Sequence, residues 1–316
     1  MAIKLKPVLE GDWLIGPNPT NLGPDIQNKM VPGDFRAGQE VVDHHLWQDG
    51  DGRWRLWACI RYTKVGRVFA GWVSDSLVDE DWECLGMVMR RDKNAGESIA
   101  DRGPRFVGEI FQSPYVIRAD GQYWMFYGGG YADGSQFFPL YSICLATSPD
   151  GKTFTRHRNK FDESVLFYGP GPARDPCLIN IEGVWHMYYS GGETGFVEPN
   201  KVFVRTSKDL ITWSASREVI WGGTPGYHTS SSECPHVVFR EGYFYLFRTE
   251  NYPSGNTFVY RSDDPYDFGL DTDRCLIGKV DAAAIEIAVD GENEYLSSNK
   301  DVWSGVRLHH LKWVEE

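Results

Sequence analysis

Residues 173–190 read ARDPCLINIEGVWHMYYS, and the pattern of this stretch recurs along the chain. Two runs of apolar, β-branched and aromatic residues flank positions 180–183, whose residue types favour a tight turn. The stretch therefore predicts a β-hairpin with Gly183 in its turn. An acid, Asp175, opens the first strand between an arginine and a proline.

The hairpin pattern recurs four more times when the turn glycines are aligned. The further copies are residues 43–57 around Gly52, 113–127 around Gly121, 233–247 around Gly242 and 283–296 around Gly291. Repeats of this size, built from short strands, are typical of propellers. A β-sandwich is the alternative, but sandwiches do not repeat a turn and an aromatic residue in phase. The sequence therefore predicts an all-β, five-bladed β-propeller.

A closed ring of blades would use all 316 residues as a single domain. Residues 1–40 contain several prolines and glycines and are predicted to form an extended arm. Because the last repeat is short, we expect part of residues 3–15 to pair with blade five and close the ring. Residues 74–82 are the best short helix candidate, and they read equally well as a turn.

Charge and hydropathy exclude some partners. The net charge of -12 and the pI near 5.2 argue against nucleic acid and against an anionic membrane surface, since phosphate binders need a basic footprint. The chain has no long apolar run and no apolar signal core at its start, so a cytoplasmic protein is expected. A signal peptide that has already been removed is the alternative. The six cysteines lack metal or redox spacing and are predicted to be small buried residues in a reducing compartment.

Three acids occupy nearly the same place in three of the predicted blades. Asp43 lies nine positions before Gly52, and Asp175 lies eight before Gly183. Glu233 lies nine before Gly242, whereas blades two and five carry Ser113 and Ala283 at this place. Inner strands of a propeller begin at one mouth of the ring, so the carboxylates of Asp43, Asp175 and Glu233 are predicted to share a catalytic pocket. Turn or capping acids are the alternative, but clustered like charges are costly unless a site uses them.

Further polar residues are predicted to line the same mouth and bind substrate. They are His44, His45, Gln112, Arg174, His228 and His236. None of their spacings matches a zinc motif, so no metal site is predicted, although carbonyls and carboxylates in the central channel could hold Ca²⁺. Glu286 lies inside an apolar strand, where a buried carboxylate needs a partner, and we expect it to support the site rather than to act in it.

Two motifs in blades three and four resemble those of a known enzyme family. Glycoside hydrolase family 32 has Arg-Asp-Pro and Glu-Cys motifs, which Arg174-Asp175-Pro176 and Glu233-Cys234-Pro235 resemble. The related families 43 and 68 share the layout of three acids on successive inner strands. Residues 147–154 also resemble the strand and turn that these enzymes have before the Arg-Asp-Pro motif. The family's Asn-Asp-Pro-Asn-Gly motif is absent, and residues 42–45 take its place.

The resemblance implies a role for each acid. Asp43 would be the nucleophile or base, Asp175 the transition-state stabiliser and Glu233 the general acid. The predicted function is that of an exo-acting glycoside hydrolase, retaining by this resemblance, that removes a terminal sugar from an oligosaccharide or small glycoside.

Two other functions remain open from the sequence. A phosphorylase or transglycosylase could use the same pocket, and a phosphorylase would need a basic phosphate seat for which Arg61, Arg174 and Lys201 are the candidates. A non-catalytic glycan-binding propeller is the second alternative, although it has no need for three clustered carboxylates.

Overall fold

A computed structural model describes residues 3–29, 38–97, 99–101, 107–131, 141–193 and 199–316 of the chain. These residues form strands in five mainly antiparallel sheets, and the inner strands of successive sheets lie against one another. The predicted all-β, five-bladed propeller is therefore confirmed. No helix of the described residues is long and apolar enough to cross a membrane.

Each blade is a sheet that runs outward from the axis. Blade one contains β2 (Glu40–Gln48), β3 (Trp54–Thr63), β4 (Gly66–Ser74) and β5 (Glu83–Met89), and its sheet is extended by β6 (Ile99–Asp101) and β7 (Val107–Glu109). Blade two contains β8 (Gln112–Ala119), β9 (Gln122–Tyr131), β10 (Tyr141–Ser148), β11 (Thr155–Arg156) and β12 (Val165–Tyr168).

The remaining blades have four strands each. Blade three contains β13 (Arg174–Ile181), β14 (Val184–Gly191), β15 (Lys201–Ser207) and β16 (Arg217–Trp221). Blade four contains β17 (Glu233–Arg240), β18 (Tyr243–Glu250), β19 (Asn256–Ser262) and β20 (Leu276–Asp281). Blade five contains β21 (Glu286–Asp290), β22 (Asn293–Ser298), β23 (Gly305–Glu315) and β1 (Leu5–Pro17).

Blade five is built from both ends of the sequence. β1 pairs antiparallel with β23, from Leu5 opposite Glu315 to Pro17 opposite Gly305. Leu5 and Leu9 pack against the apolar cluster that contains Leu296 and Leu311. Residues 5–17 of the predicted arm are thus the outer strand of the last blade.

Blades pack through apolar side chains on both faces of their strands. In β9, Met125, Phe126 and Tyr127 are fully buried although successive side chains point to opposite faces. Phe126 belongs to the cluster shared with blade three, whereas Met125 and Tyr127 belong to the cluster shared with blade one. The continuous aromatic runs therefore form the core between blades.

The five hairpin glycines all adopt the backbone conformation that the turn requires. Their φ angles are positive, which L-residues with a side chain rarely adopt: 82° at Gly52, 76° at Gly121, 84° at Gly183, 84° at Gly242 and 61° at Gly291. The aligned glycines of the sequence repeat are therefore structurally equivalent.

A serine and an acid stabilise the turn that follows the third strand of blade three. The Ser207 hydroxyl donates to Asp209 at 2.9 Å and accepts from the Leu210 N–H at 2.9 Å. Asp209 in turn accepts from the N–H groups of Ile211 and Thr212, and these bonds lower the pKa of Asp209 to about 2. Ser148 and Asp150 make the equivalent bonds in blade two. Residues 74–82, the helix candidate, also form turns.

The inner strands of blades one to four each contain a bulge near their start. The pairing of the first and second strands shifts register between Val42 and His44, and equivalent shifts occur in blades two, three and four. The residues at these bulges and in blade five have positive φ: 39° at Asp43, 57° at Ser113, 56° at Asp175, 46° at Cys234 and 47° at Ala284. We call these five residues the axial ring.

In two blades, the residue that belongs to the axial ring differs from the residue that the sequence alignment predicts at this place. Cys234, not Glu233, is the counterpart of Asp175, and both lie eight positions before their turn glycine. Ala284, not Ala283, holds the place in blade five. Glu233 is instead in register with Arg174, because each is the last paired residue before its bulge. The three acids are therefore neighbours but do not occupy three identical positions.

Candidate active site

Asp43 and Asp175 are held together by a serine of the axial ring. Ser113 Oγ lies 3.1 Å from Asp43 Oδ2 and 2.5 Å from Asp175 Oδ1. All three side chains are buried, with exposed fractions of 7% or less. The bulges explain this closeness, since a positive φ in each of the three strands turns the side chain toward the axis.

Two residues of blade four complete the contacts of this pair. Tyr252, in the short 3₁₀ turn Tyr252–Ser254 after β18, donates its hydroxyl to Asp43 Oδ1. The Cys234 N–H donates to Asp175 Oδ2 at 3.1 Å, and the Cys234 sulfur lies 2.8 Å from the Tyr252 oxygen. The two carboxyl groups thus have three hydrogen-bonding neighbours, Ser113 from blade two and Cys234 and Tyr252 from blade four.

Burial and charge act together on these groups. Burial and the neighbouring charge of Asp43 raise the pKa of Asp175, although Arg174 acts in the opposite direction. Burial also raises the pKa of Tyr252 and of Cys234 well above the usual range, so both are neutral near pH 7. A carboxyl with a raised pKa beside a second carboxyl is typical of acid–base sites.

Glu233 is bound by an arginine from the neighbouring blade. Arg174 Nη2 lies 2.9 Å from Glu233 Oε1, and Arg174 Nε lies 3.7 Å from Asp175 Oδ2. Both side chains of the Arg174–Glu233 pair are buried. The arginine thus joins the general-acid candidate to the Asp43–Asp175 pair.

Gln112 occupies the same register in blade two. It precedes Ser113 as Arg174 precedes Asp175 and as Glu233 precedes Cys234. Its side chain is 1% exposed, and its Oε1 atom has no hydrogen-bond partner within the part of the chain that the structure describes. Such an acceptor is costly to bury and is available to a hydroxyl donor.

One side chain from each blade forms a second layer on the axis. Two residues after each member of the axial ring lie His45, Tyr115, Cys177, His236 and Glu286. We call them the axial plug. The Tyr115 ring lies 4.1 Å from that of His45 and 6.4 Å from that of His236, and the Cys177 sulfur lies 3.5 Å from the Tyr115 oxygen.

Glu286 provides the negative charge of the axial plug. Its Oε2 atom lies 3.0 Å from His45 Nδ1 and 3.1 Å from His236 Nδ1, the latter an ion-pair contact without hydrogen-bond alignment. The other nitrogen of His45 lies 2.9 Å from the carbonyl oxygen of Val116, so both ring nitrogens face oxygen atoms.

The plug residues shift one another's protonation. Burial opposes ionisation of Glu286, but the charges of His236 and His45 lower the pKa of Glu286 to about 2. Burial likewise opposes the charge of His236, but Cys177 and Glu286 raise its pKa to about 10. The layer is therefore a buried cluster of ions. Glu286 thus has two histidine partners, as a buried carboxylate requires.

The structure places the six predicted rim residues in four different settings. Arg174 and Gln112 lie beside the acids, whereas His45 and His236 belong to the axial plug and contact Glu286. His228 lies in the loop before β17, where its half-exposed ring is 3.4 Å from Glu250.

His44 is held by blade five. Its Nδ1 bonds to Asn299 Oδ1 and its Nε2 lies 2.6 Å from Ser297 Oγ. Burial lowers the pKa of His44 to about 4, so the ring is neutral near pH 7. His44 lines a small cavity on the axis, with room for about one water molecule, together with Asp43, Asp175 and Glu286.

One group of side chains has the spacing of a metal site among the described residues. The ligand atoms of Asp43, Asp175 and Cys234 all lie within 4.8 Å of one another. Two carboxylates and a thiol suit Ca²⁺ poorly, because that ion takes oxygen ligands. The raised pKa of the Cys234 thiol also opposes the thiolate that a softer metal requires. All six cysteines are free.

Three residues of this site were not selected from the sequence. Ser113 and Cys234 belong to the repeat, but the first was read as a replacement for an acid and the second as a buried apolar residue. The signal for both was their register with Asp175. Tyr252 lies after β18, outside the repeat, and no sequence pattern indicates its contact with Asp43.

No family model matches the chain, and no curated protein matches it. Solved structures do share its fold. A thermostable family-43 glycoside hydrolase has a TM-score of 0.61 and 18% identity over 92% of this chain and 93% of its own. A GH43_1 enzyme from Xanthomonas citri, complexed with xylotriose, has a TM-score of 0.58 and 14% identity over 92% and 91%.

A Bombyx mori GH32 β-fructofuranosidase is similar over a smaller part of its length. It has a TM-score of 0.58 and 17% identity, and the match covers 92% of this chain and 62% of the enzyme. Together with the blades and the axial ring, these similarities show that the chain has the five-bladed propeller fold found in glycoside hydrolases of families 43 and 32.

Proposed function

We propose that this protein is an exo-acting glycoside hydrolase that removes a terminal sugar from an oligosaccharide or small glycoside. The observation that carries the proposal is the meeting of Asp43 and Asp175 on the propeller axis, with Glu233 joined to them through Arg174. Glycosidic bond cleavage needs one carboxyl group to protonate the leaving oxygen and another to attack or to activate water. The similar structures bear the names of glycosidases, which supports the same chemistry here.

The axial plug supports exo action. Five side chains, one from each blade, meet directly beneath the acids, and four of them are buried. A substrate that enters along the axis therefore meets a floor, and only a chain end fits against it. The buried Gln112 oxygen, which has no partner among the described residues, offers an acceptor to a sugar hydroxyl at this depth.

The contacts suit the role proposed for each acid. Asp43 receives hydrogen bonds on both oxygens, from Ser113 and Tyr252, and this orientation of the carboxyl suits a nucleophile or base. Asp175 binds the sugar as charge develops on it. Glu233 donates the proton to the leaving group, and for this Arg174 must exchange Glu233 for a substrate hydroxyl, because the cation favours the ionised carboxyl.

The three cations that could bind phosphate are already paired with carboxylates, and this pairing favours hydrolysis over phosphorolysis. Arg61 pairs with Glu40 at 2.6 Å, and Arg174 pairs with Glu233 at 2.9 Å. Lys201 lies 3.0 Å from Glu193 and 2.7 Å from Glu218. A phosphate ion at any of these cations would have to displace a carboxylate.

Leaving-group dependence tests the proposal. Glu233→Gln should lose cleavage of natural disaccharides yet keep much of its rate on aryl glycosides with activated leaving groups, since these depart without a proton. Asp43→Asn should be nearly inactive on both substrates. Asp175→Asn should weaken both together, because it loses contacts that strengthen in the transition state.

Two outcomes would change the assignment. If Glu233→Gln loses both substrates equally while Asp43→Asn keeps the activated one, the acid and the nucleophile are exchanged. If all three variants keep wild-type rates, or if the wild-type protein cleaves no glycoside of a broad panel, the proposal fails. We further propose retention of the anomeric configuration, and NMR of the first-formed product tests it, because inversion would make Asp43 a base that activates water.

A further inference from the structure

The contacts of Ser113 bear on how many of the two carboxyl groups, Asp43 and Asp175, are protonated. Its oxygen lies within hydrogen-bond distance of both Asp43 Oδ2, at 3.1 Å, and Asp175 Oδ1, at 2.5 Å. A hydroxyl has one proton to donate, and an ionised carboxylate only accepts. If both acids were ionised, one of these two contacts would place lone pairs against lone pairs. One of the two carboxyl groups must therefore carry a proton.

The remaining contacts decide which acid carries it. Asp43 already receives the Tyr252 hydroxyl on Oδ1, so a second donation from Ser113 to Oδ2 suits an anion. Asp175 Oδ1 lies 2.5 Å from Ser113 Oγ, at the short end of the O–H···O range, and burial together with the charge of Asp43 raises the pKa of Asp175, which favours its protonated form. The proton therefore belongs on Asp175.

We propose that Ser113 is a positioning residue that relays a hydrogen bond from a protonated Asp175 to an ionised Asp43. In the resting site the two carboxyl groups then hold one proton between them. Asp175 donates to Ser113, and Ser113 donates to Asp43. No bond is made or broken in this arrangement, and reversing the direction of the two hydrogen bonds would transfer the proton to Asp43.

The surrounding groups leave this proton in place near pH 7. The titratable or charged neighbours from the packed strands and the 3₁₀ turn are Cys59, His44, Arg174, Glu233, Cys234 and Tyr252. Burial raises the pKa of Cys59, Cys234 and Tyr252 and lowers that of His44, so these four are neutral. Arg174 and Glu233 are charged and pair with each other, and Glu286 of blade five, which lines the same cavity, is charged and contacts His45 and His236.

The catalytic role of the relay rests on the proposed function, but the existence of the relay does not. The first test therefore needs no substrate. Infrared spectra of the whole protein at about pH 7 should show the C=O stretch of a protonated carboxyl that Asp175→Asn lacks. Ser113→Ala removes the acceptor of that carboxyl and should shift the band, whereas Ser113→Thr should keep it. Ser190→Ala is the matched control, because Ser190 is equally buried and its hydroxyl has no partner among the described residues.

The second test uses the pH dependence of kcat/KM on an activated aryl glycoside. Ser113→Ala takes one donor from Asp43, so the acid limb should move to higher pH by about one unit, and Ser113→Thr should restore it. Absence of the Asp175 band from the wild-type spectrum, or a band that Ser113→Ala leaves unmoved, overturns the relay. If Ser113→Ala does not fold, the wild-type and Asp175→Asn spectra still decide. A band without glycosidase activity would reject the proposed function and leave the relay standing.

Discussion

Arg174 donates a hydrogen bond to Glu233 at 2.9 Å, so the acid proposed to protonate the leaving group rests against a permanent cation. Arginine stays charged at every pH at which the protein is folded, and it favours the ionised form of its partner. The site as described is therefore a resting state. Under the proposed mechanism, Glu233 acts as the general acid only when a substrate takes over the contacts of Arg174.

Removing the arginine should extend activity to higher pH. In Arg174→Gln the ionised form of Glu233 loses its cation, so the alkaline limb of the pH–rate profile should move up by about one to two units. The value of kcat/KM at the optimum should fall, since the substrate loses the same arginine. Arg53→Gln is the control, because Arg53 pairs with exposed Asp75 at the surface. An alkaline limb that stays in place in Arg174→Gln would contradict the role of Glu233.

Tyr252 should contribute to catalysis through Asp43. Tyr252→Phe removes the hydroxyl that donates to Asp43 Oδ1, and a hydrogen bond to a charged group contributes about 1.5–3 kcal/mol. We expect kcat to fall by roughly 10- to 100-fold with little change in KM. Tyr188→Phe is a matched control, since its buried hydroxyl bonds to the Pro265 carbonyl, away from the acids. Equal losses in the two variants would show that Tyr252 has only a structural role.

The axial plug should stabilise the fold most strongly in mildly acidic solution. Glu286→Gln leaves His45 and His236 without their counter-charge, and breaking a buried ion pair costs about 3–5 kcal/mol. Urea unfolding across pH should measure this loss. Glu294→Gln is the control in the same blade, because its partly exposed pair with Arg240 is expected to contribute about 1 kcal/mol or less.

The pKa shifts of the plug fix the pH window of that loss. Glu286 is depressed from 4.5 to about 2, so its contribution is complete above pH 4.5 and disappears as pH falls toward 2. His236 is raised from 6.5 to about 10, so its contribution is complete below pH 6.5 and disappears as pH rises through 10. The difference between wild type and Glu286→Gln should therefore be largest between pH 4.5 and 6.5. A difference that is constant across pH would contradict the ionic character of the plug.

The serine turn of blade three should contribute to stability in a predictable amount. Ser207→Ala removes one donor and one acceptor from the turn, and we expect a loss of about 1 kcal/mol in thermal or urea unfolding. Lys208→Ala, an exposed residue of the same turn, should change stability little. The depressed pKa of Asp209 implies that its contribution is present above about pH 3.8 and is lost as pH falls through about 2. Equal stability of Ser207→Ala and wild type would show that water replaces these bonds.

The repeat made the blades and two of the acids predictable. Turn glycines need positive φ, so Gly52, Gly121 and Gly183 mark equivalent points in the fold wherever they stand in the sequence. Counting back from them located Asp43 and Asp175 on the axis. In blade four, counting back from the turn glycine indicated Glu233, whereas the residue on the axis is the next one, Cys234. The spacing of residues alone does not show where a bulge interrupts the pairing.

The contacts between blades could not be predicted in the same way. The axial plug has a different residue type in every blade, so no repeated letter marks it, and its stability comes from the pairing of Glu286 with two histidines far away in sequence. Tyr252 reaches Asp43 from the loop after β18, where no repeated residue marks it. Such contacts follow from the closed ring, and the ring exists only after all five blades have formed.

The pairing of β1 with β23 also bears on how the chain folds during synthesis. Leu5–Pro17 is made before every other strand of the propeller, whereas its partner, Gly305–Glu315, is made after them. Blades one to four can each form from contiguous sequence as the chain leaves the ribosome, but the fifth must wait. During that time the early strand has an unpaired edge, which is open to other nascent chains. Its charged residues, among them Lys6, Glu10 and Asp12, would keep that edge soluble until the late strand arrives.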